Sequence, residues 1–290
     1  MPHLYELTDD ELPACRILLN AVDGWIDAGS AAAQAREALA AGTQRRTIAL
    51  FDADDLIDHQ ARRPVLHLRN GINIGVDLPR LALELLTPPM SSDGEPFLLL
   101  SGPEPDHRWV AFTTAVIELA QRCGISRVVG LGAYPAPTPH TRPSRVVATA
   151  TSAALAELVG FIPGDLDVPA GVSAVLEQAC GRAGIEAVGL WVQVPHYVSN
   201  LSYPAAALAL LDAFNVVSGR RVDGGTLRAE AVSSRSRIDD LVAQNDEHRA
   251  MVHQLEMLAD EQLTNASIPS ADELADELEQ FLRSQGEPGT

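Results

Sequence analysis

"LNAVDGWIDAGSAAAQAREALAAG", residues Leu19 to Gly42, runs from an apolar stretch through a Gly-containing turn into an Ala-rich stretch that ends in Gly. Strand, tight turn and helix in that order are the building unit of α/β folds. The turn, Asp23-Gly24-Trp25-Ile26-Asp27-Ala28-Gly29, stands where a phosphate cradle would, yet Asp23 and Asp27 flank it and its glycines miss the G-x-G-x-x-G spacing. Two acids repel an anion, so the loop is not a dinucleotide fingerprint. The residues leave two readings open. In one, Asp27 or Ser30 caps the helix and the small residues let it lie close on a sheet. In the other, the acids act on a ligand directly, with Trp25 as a wall of a pocket or an interface.

Outward from this unit the pattern repeats. "RTIALFD", "PVLHLRNG", "PFLLLSGP", "SRVVGLGAY", "RVVATA" and "EAVGLWVQV" read as strands, nearly continuous in hydrophobicity. Such runs are expected where both faces of a sheet are covered. Between them lie helical stretches that end in Gly, among them "RWVAFTTAVIELAQRCG", "GVSAVLEQACGRAG" and "PAAALALLDAFNVVSG". A terminal Gly is a helix stop. The alternation predicts a three-layer αβα core with a mostly parallel mixed sheet over residues 1–221. Asn70-Gly71 between two alternating runs predicts a tight hairpin inserted near residues 65–79.

From residue 222 the pattern changes to an acidic, strand-free tail, 222–290, expected as an all-α cap or lid. Residues 226–290 hold 14 acids against 5 arginines. Ile238, Leu241, Val242, Val252 and Leu255 fall at helical spacing, as one long helix or a bent pair. A second acidic helix is expected from Ser270, with Glu273 completing a capping box.

Composition bounds the function. The formal net charge is −18 and all 21 basic residues are arginine. The protein's own field opposes nucleic acid and anionic membrane surfaces. Without lysine there is no Schiff base and no Walker A lysine. Cys15, Cys123 and Cys180 form no Cys-x-x-Cys pair and read as buried residues of a reducing, cytoplasmic compartment. The scattered histidines and the lack of His-Glu-x-x-His or Gly-x-Ser-x-Gly imply no metal and no cofactor.

In a largely parallel sheet, ligands bind at the carboxyl ends of the strands, which selects the loops to inspect. "GLGAYPAPTPHTRPSR" offers Gly132 and then His140, Thr141 and Arg142 on a proline-stiffened loop, where Arg142 suits a carboxylate or phosphate. "VPHYVSN" adds His196 and Tyr197, with His196 expected as a satisfied core histidine. The candidate site is therefore Asp23, Gly24, Trp25, Asp27, Gly29, Gly132, Thr141, Arg142, His196 and Tyr197.

"GWIDAGSAA", "GLGAYPAPTPHTRPSRV" and "VPHYV" followed by "PAAALALLDAF" together resemble the bacterial, actinobacterial branch of the proteasome-assembly-chaperone family. The resemblance implies a core of purine-nucleoside-phosphorylase-like topology, a hairpin used in oligomerisation, homotrimers, and a C-terminal helical piece over a ligand pocket. It carries over no catalytic residue. Relatives that chaperone the proteasome dock through a hydrophobic-Tyr-any tail, whereas this sequence ends "RSQGEPGT". The leading expectation is an oligomeric protein that binds a ligand or a protein partner in a lidded pocket. The alternative is a hydrolase or transferase acting on a nucleoside-like or other neutral or cationic metabolite.

Overall fold

The computed structural model describes residues 4–8, 11–90 and 94–266, with side chains through residue 261. The helix expected from Ser270 lies outside the described residues. In chain order the elements are β1 (Tyr5–Leu7), β2 (Ile17–Asp23), α1 (Ala31–Ala40), β3 (Gln44–Phe51), α2 (Ala53–Leu56), β4 (Val65–Arg69), β5 (Ile72–Asp77), β6 (Ala82–Thr87) and β7 (Phe97–Pro103). They continue with α3 (Trp109–Arg122), β8 (Arg127–Ala136), β9 (Val146–Ala150), α4 (Ala153–Glu157), α5 (Val172–Arg182), β10 (Glu186–Pro195), α6 (Pro204–Ser218), α7 (Leu227–Ala243) and α8 (Asp246–Ala266).

Among the described residues one eight-stranded sheet runs in the order β1-β3-β6-β7-β2-β8-β10-β9. Its centre, β7-β2-β8-β10, is parallel, and the flanking pairs are antiparallel. The apolar runs follow from this placement. Along β2, Leu19 and Ala21 enter one core while Leu18 and Val22 enter the other. A strand with both faces buried has no polar face to show. The first core takes α1, α6 and α7, and the second takes α3 and α5. The fold is thus a three-layer α/β sandwich.

Strands β1 and β6 lie outside the runs that periodicity singles out. Strand β6, "ALELLT", is built from good helix formers and is a strand because β3 and β7 pair with it on both sides. At the sheet margins, β1 is three residues long, and beyond β9 the Ala148 N–H donates to the Gly160 carbonyl at 2.7 Å.

The hairpin is present. Strands β4 and β5 pair antiparallel around Asn70 (φ 50°) and Gly71 (φ 82°), the two left-handed residues that a type I′ turn requires. It forms a separate two-stranded ribbon. The tail begins as a bent pair: α7 ends at Ala243, and the Asn245 side chain caps α8 by accepting from Glu247 N at 2.8 Å and His248 N at 3.3 Å. Leu227 and Ile238 of α7 join the core under α6. Among the described side chains of α8, Val252 and Leu255 are the buried apolar ones.

Candidate functional site

The rim at the carboxyl ends of β2, β8 and β10 holds most of the candidate residues, and their bonds divide them into groups. The opening turn is structural in its polar contacts. Asp27 Oδ1 accepts from Ala32 N at 2.8 Å and Oδ2 from Ala33 N at 3.0 Å, so one carboxylate caps α1 twice. A cap of this kind contributes about 1 kcal/mol. Ser30 makes no side-chain cap bond. Burial pushes the Asp27 carboxyl above its usual range, while the two N–H groups pull it back. A β-bridge from Asp27 to Ala133 fastens the turn beside β8. Gly29 has φ 65°, and a Cβ there would come within 2.7 Å of Tyr203 Cβ, so only glycine fits. Its N–H donates to Ser199 O at 2.7 Å and its carbonyl accepts from Tyr203 N at 2.9 Å.

Asp23 pairs with Arg36 at 2.7 Å and ties α1 to its own strand. At Gly24, an added Cβ would meet only the Ile26 carbonyl, at 3.9 Å. Gly132 is not an open wall, since a Cβ there would overlap the Trp191 ring. Trp25 is 62% exposed. It stands beside Gly171 at the start of α5, where Glu104 is buried and accepts from Val172 N at 2.6 Å. Glu104 therefore serves the amino end of α5 and not the helix that follows it in sequence.

The second group is the loop after β8. His140 is 4% exposed and sits between two partners, with Nδ1 2.6 Å from Tyr197 Oη and Nε2 2.9 Å from Asp239 Oδ1 on α7. Tyr197 Oη also accepts from the His140 backbone N–H at 2.8 Å. Two proton arrangements satisfy all three bonds: the phenol donates to Nδ1 while Nε2 donates to Asp239, or both ring nitrogens donate and the phenol oxygen accepts twice. Burial pushes the Tyr197 phenol up to about 12, which keeps it a donor. Thr141 donates to Glu256 Oε1 at 2.5 Å. Arg142 forks onto Asp260, with Nε to Oδ1 at 2.8 Å and Nη2 to Oδ2 at 2.7 Å. The fork holds the Asp260 carboxyl below its ordinary value and the guanidinium above its own. Bidentate pairing of this kind is the strong form of an Arg–carboxylate contact.

His196 corrects its expectation. Pro195 ends β10, and in the 3-10 turn His196–Val198 it is Val198 that turns inward, leaving His196 exposed with its ring edge-on to Tyr197. The buried histidine of the rim is His140. The structure thus ties Tyr197 to His140, fastens the adjacent Thr141 and Arg142 to α8, holds Asp27 and Gly29 in a neighbouring framework, and sets Trp25 apart beside α5. Asp239, Glu256 and Asp260 belong to the group around the loop after β8 and were not singled out from sequence. Glu256 and Asp260 do stand one and two helical turns after buried Val252, a spacing that marks one face. Among the described residues no three His, Cys, Asp or Glu side chains converge as metal ligands.

Residues 21–242 match the model of the PAC2 family. The chain belongs to that family. A solved PAC2-like structure, the proteasome-assembly chaperone homologue of Mycobacterium tuberculosis, is 35% identical with a TM-score of 0.74, over 81% of this chain and 99% of that one. A M. tuberculosis protein of unknown function is 34% identical with a TM-score of 0.82 over 92% of both chains. An archaeal proteasome activator from Pyrococcus furiosus, 15% identical with a TM-score of 0.62 over 82% of this chain and 97% of that one, shares the fold. No curated protein sequence matches this chain. No described helix is long and apolar enough to cross a membrane.

Proposed function

We propose that this PAC2 protein is a cytoplasmic, oligomeric protein-binding module, trimeric for preference, whose C-terminal helices lid the rim of the sheet. The observation that carries this reading is how the polar groups are distributed. Asp27 is committed to a helix cap, and His140, Thr141 and Arg142 are committed to side chains of α7 and α8. Their polar atoms are engaged with the chain itself and are not turned toward a ligand. Meanwhile the β4–β5 ribbon leaves Val65, Leu66, Leu68, Ile72, Ile74 and Val76 in solvent. Contiguous apolar surface of this kind marks contact with another protein.

The three free cysteines are all buried, which fits a reducing compartment. Names of relatives that mention the proteasome support a protein partner in general terms, and no particular partner follows for this chain. The test is sedimentation velocity on the full chain at micromolar concentration. The proposal expects a defined oligomer with a trimer favoured, and a monomer at every accessible concentration overturns the oligomeric part. A metabolite that raises Tm in proportion to its concentration, and fails to do so on Arg142→Ala, would overturn the preference for protein binding over enzyme.

A further inference from the structure

Trp25 is the residue of the opening turn that the framework around Asp27 and Gly29 leaves unused. Its exposed ring comes to a spot that Glu104 also reaches: a Cβ built on Gly171 would lie 3.7 Å from Trp25 Cδ1 and 2.8 Å from Glu104 Oε1. Glu104 is only 8% exposed. Its Oε1 accepts from Val172 N at 2.6 Å, yet the carboxylate has no ion-pair partner among the described residues. A carboxylate so far removed from water is expected to face a cation, and the chain supplies none here.

The segment that leads to this spot is 161–170, "FIPGDLDVPA". All of it is exposed, and none of it makes a hydrogen bond among the described residues. It starts after Gly160, whose carbonyl meets Ala148 at the margin of the sheet, and ends at Gly171 beside Trp25. Phe161, Ile162, Leu166 and Val168 stand in solvent. Asp165 and Asp167, set among them, have no ion-pair partner among the described residues. Residues 152–181 carry four acids and no base, so nothing in the local sequence compensates them. Unpaired backbone, apolar side chains and uncompensated acids thus lie in one run that ends on an aromatic ring and a buried carboxylate.

We infer that this run binds an extended basic segment of a partner protein, with one cation seated at Trp25 and Glu104 and others opposite Asp165 and Asp167. This rests on the protein-binding reading above and names the partner's chemistry. Each part of the surface selects for it. A cation on an indole face is held by the ring quadrupole, and more firmly where water is excluded. An added strand answers free N–H and C=O groups, and its alternate side chains meet alternate positions of the run. Asp165 and Asp167 are two residues apart, as are Leu166 and Val168, so a segment that alternates basic and apolar residues matches both sets. The net charge of −18 draws such a segment in and repels an acidic one.

The probe is a fluorescein-labelled peptide of alternating arginine and valine, about eight residues long, titrated with the full chain and followed by anisotropy. Any basic peptide is drawn to a chain of this charge, so the comparison is between variants that lose the same charge in different places. Asp165→Asn with Asp167→Asn should raise the dissociation constant roughly tenfold or more, while Glu37→Gln with Asp240→Asn, two exposed acids elsewhere, should change it less than about twofold. Equal weakening by the two pairs overturns the assignment, as does a glutamate–valine peptide that binds equally well. Trp25→Ala should raise the constant about fivefold and Trp25→Phe less, because phenylalanine keeps a ring face for the cation. Glu104→Gln keeps the acceptor for Val172 N and should still weaken binding about threefold, and unchanged binding in both Trp25→Ala and Glu104→Gln overturns the anchor. Emission of Trp25, read as the difference between wild type and Trp25→Phe, should be independent of protein concentration until peptide is added. A shift on concentration alone puts a second copy on the run and overturns the foreign partner. A monomer that binds the peptide at this run breaks the oligomeric reading alone, and an oligomer indifferent to the peptide breaks this one alone.

Discussion

The loop at 140–142 and the β4–β5 ribbon both project from the same core, and they present opposite problems to solvent. The loop displays polar side chains, and the chain answers each of them within itself: imidazole with Tyr197 and Asp239, hydroxyl with Glu256, guanidinium with Asp260. The ribbon displays apolar side chains over two strands and the chain answers none of them. Hydrogen-bonding groups can be satisfied by water at little cost, so internal pairing at the loop adds position more than stability. Exposed apolar area has no such recourse. The difference separates what this molecule has settled alone from what it leaves to another surface.

The largest effect should come from removing the ribbon's exposed apolar side chains. Replacing Leu66, Ile72, Ile74 and Val76 by threonine should abolish assembly, a loss of at least about a thousandfold in association if each side chain contributes about 1 kcal/mol when buried. Thermal unfolding of the resulting monomer should stay close to that of dilute wild type, because these side chains are exposed in the single chain. A variant that still assembles would break the contrast.

Next comes His140→Ala. It leaves the part-buried Tyr197 hydroxyl without its imidazole and opens a space where a nearly fully buried ring sat, while exposed Asp239 keeps Arg235 at 3.8 Å, and should cost about 1–3 kcal/mol in urea unfolding. A change below about 0.5 kcal/mol would mean that the buried bonds count no more than exposed ones.

Smaller again is Arg142→Ala. Both partners in that fork reach solvent, so the expected readout is local: amide exchange along α8 should accelerate while the main sheet keeps its protection. Asp260→Asn should do the same to a lesser degree, since Glu256 still faces Arg142 at 3.5 Å.

The smallest effect is in pH. Asp260 is held below its ordinary value by Arg142. A carboxyl depressed on folding contributes fully above its unfolded pKa, and that contribution fades as pH falls through the folded one. Exchange along α8 should therefore rise only at a pH beneath the normal aspartate range. In Arg142→Ala any remaining acid dependence of α8 should move up toward that range, and an identical profile in the two proteins would detach α8 mobility from this contact.

Much of the architecture was legible because burial on both faces writes strands as unbroken apolar runs, and because Asn70-Gly71 has few conformations open to it. Strand β6 was hidden for the converse reason: its pairing with β3 and β7 overrides what Leu-Glu-Leu-Leu would do alone. At the site, Asp27 could be read as a cap from its place before α1. The choice between His140 and His196 could not, since which of two histidines is buried depends on the turn after Pro195. Asp239, Glu256 and Asp260 were lost among the acids of the tail. A carboxylate gains a partner through the path of helices that brings it there, and only the 252–256–260 spacing hinted at which ones.

One consequence lies at the margins of the large sheet. It ends on one side in a strand of three residues and on the other against a chain segment already bonded to β9, so neither border can readily recruit a strand from another molecule. The ribbon is the exception: among the described residues its two strands pair only with each other, and both flanks are free. If the purified protein forms fibrils on storage, growth should begin there, and a proline at Ile74 should slow it without disturbing the rest of the molecule.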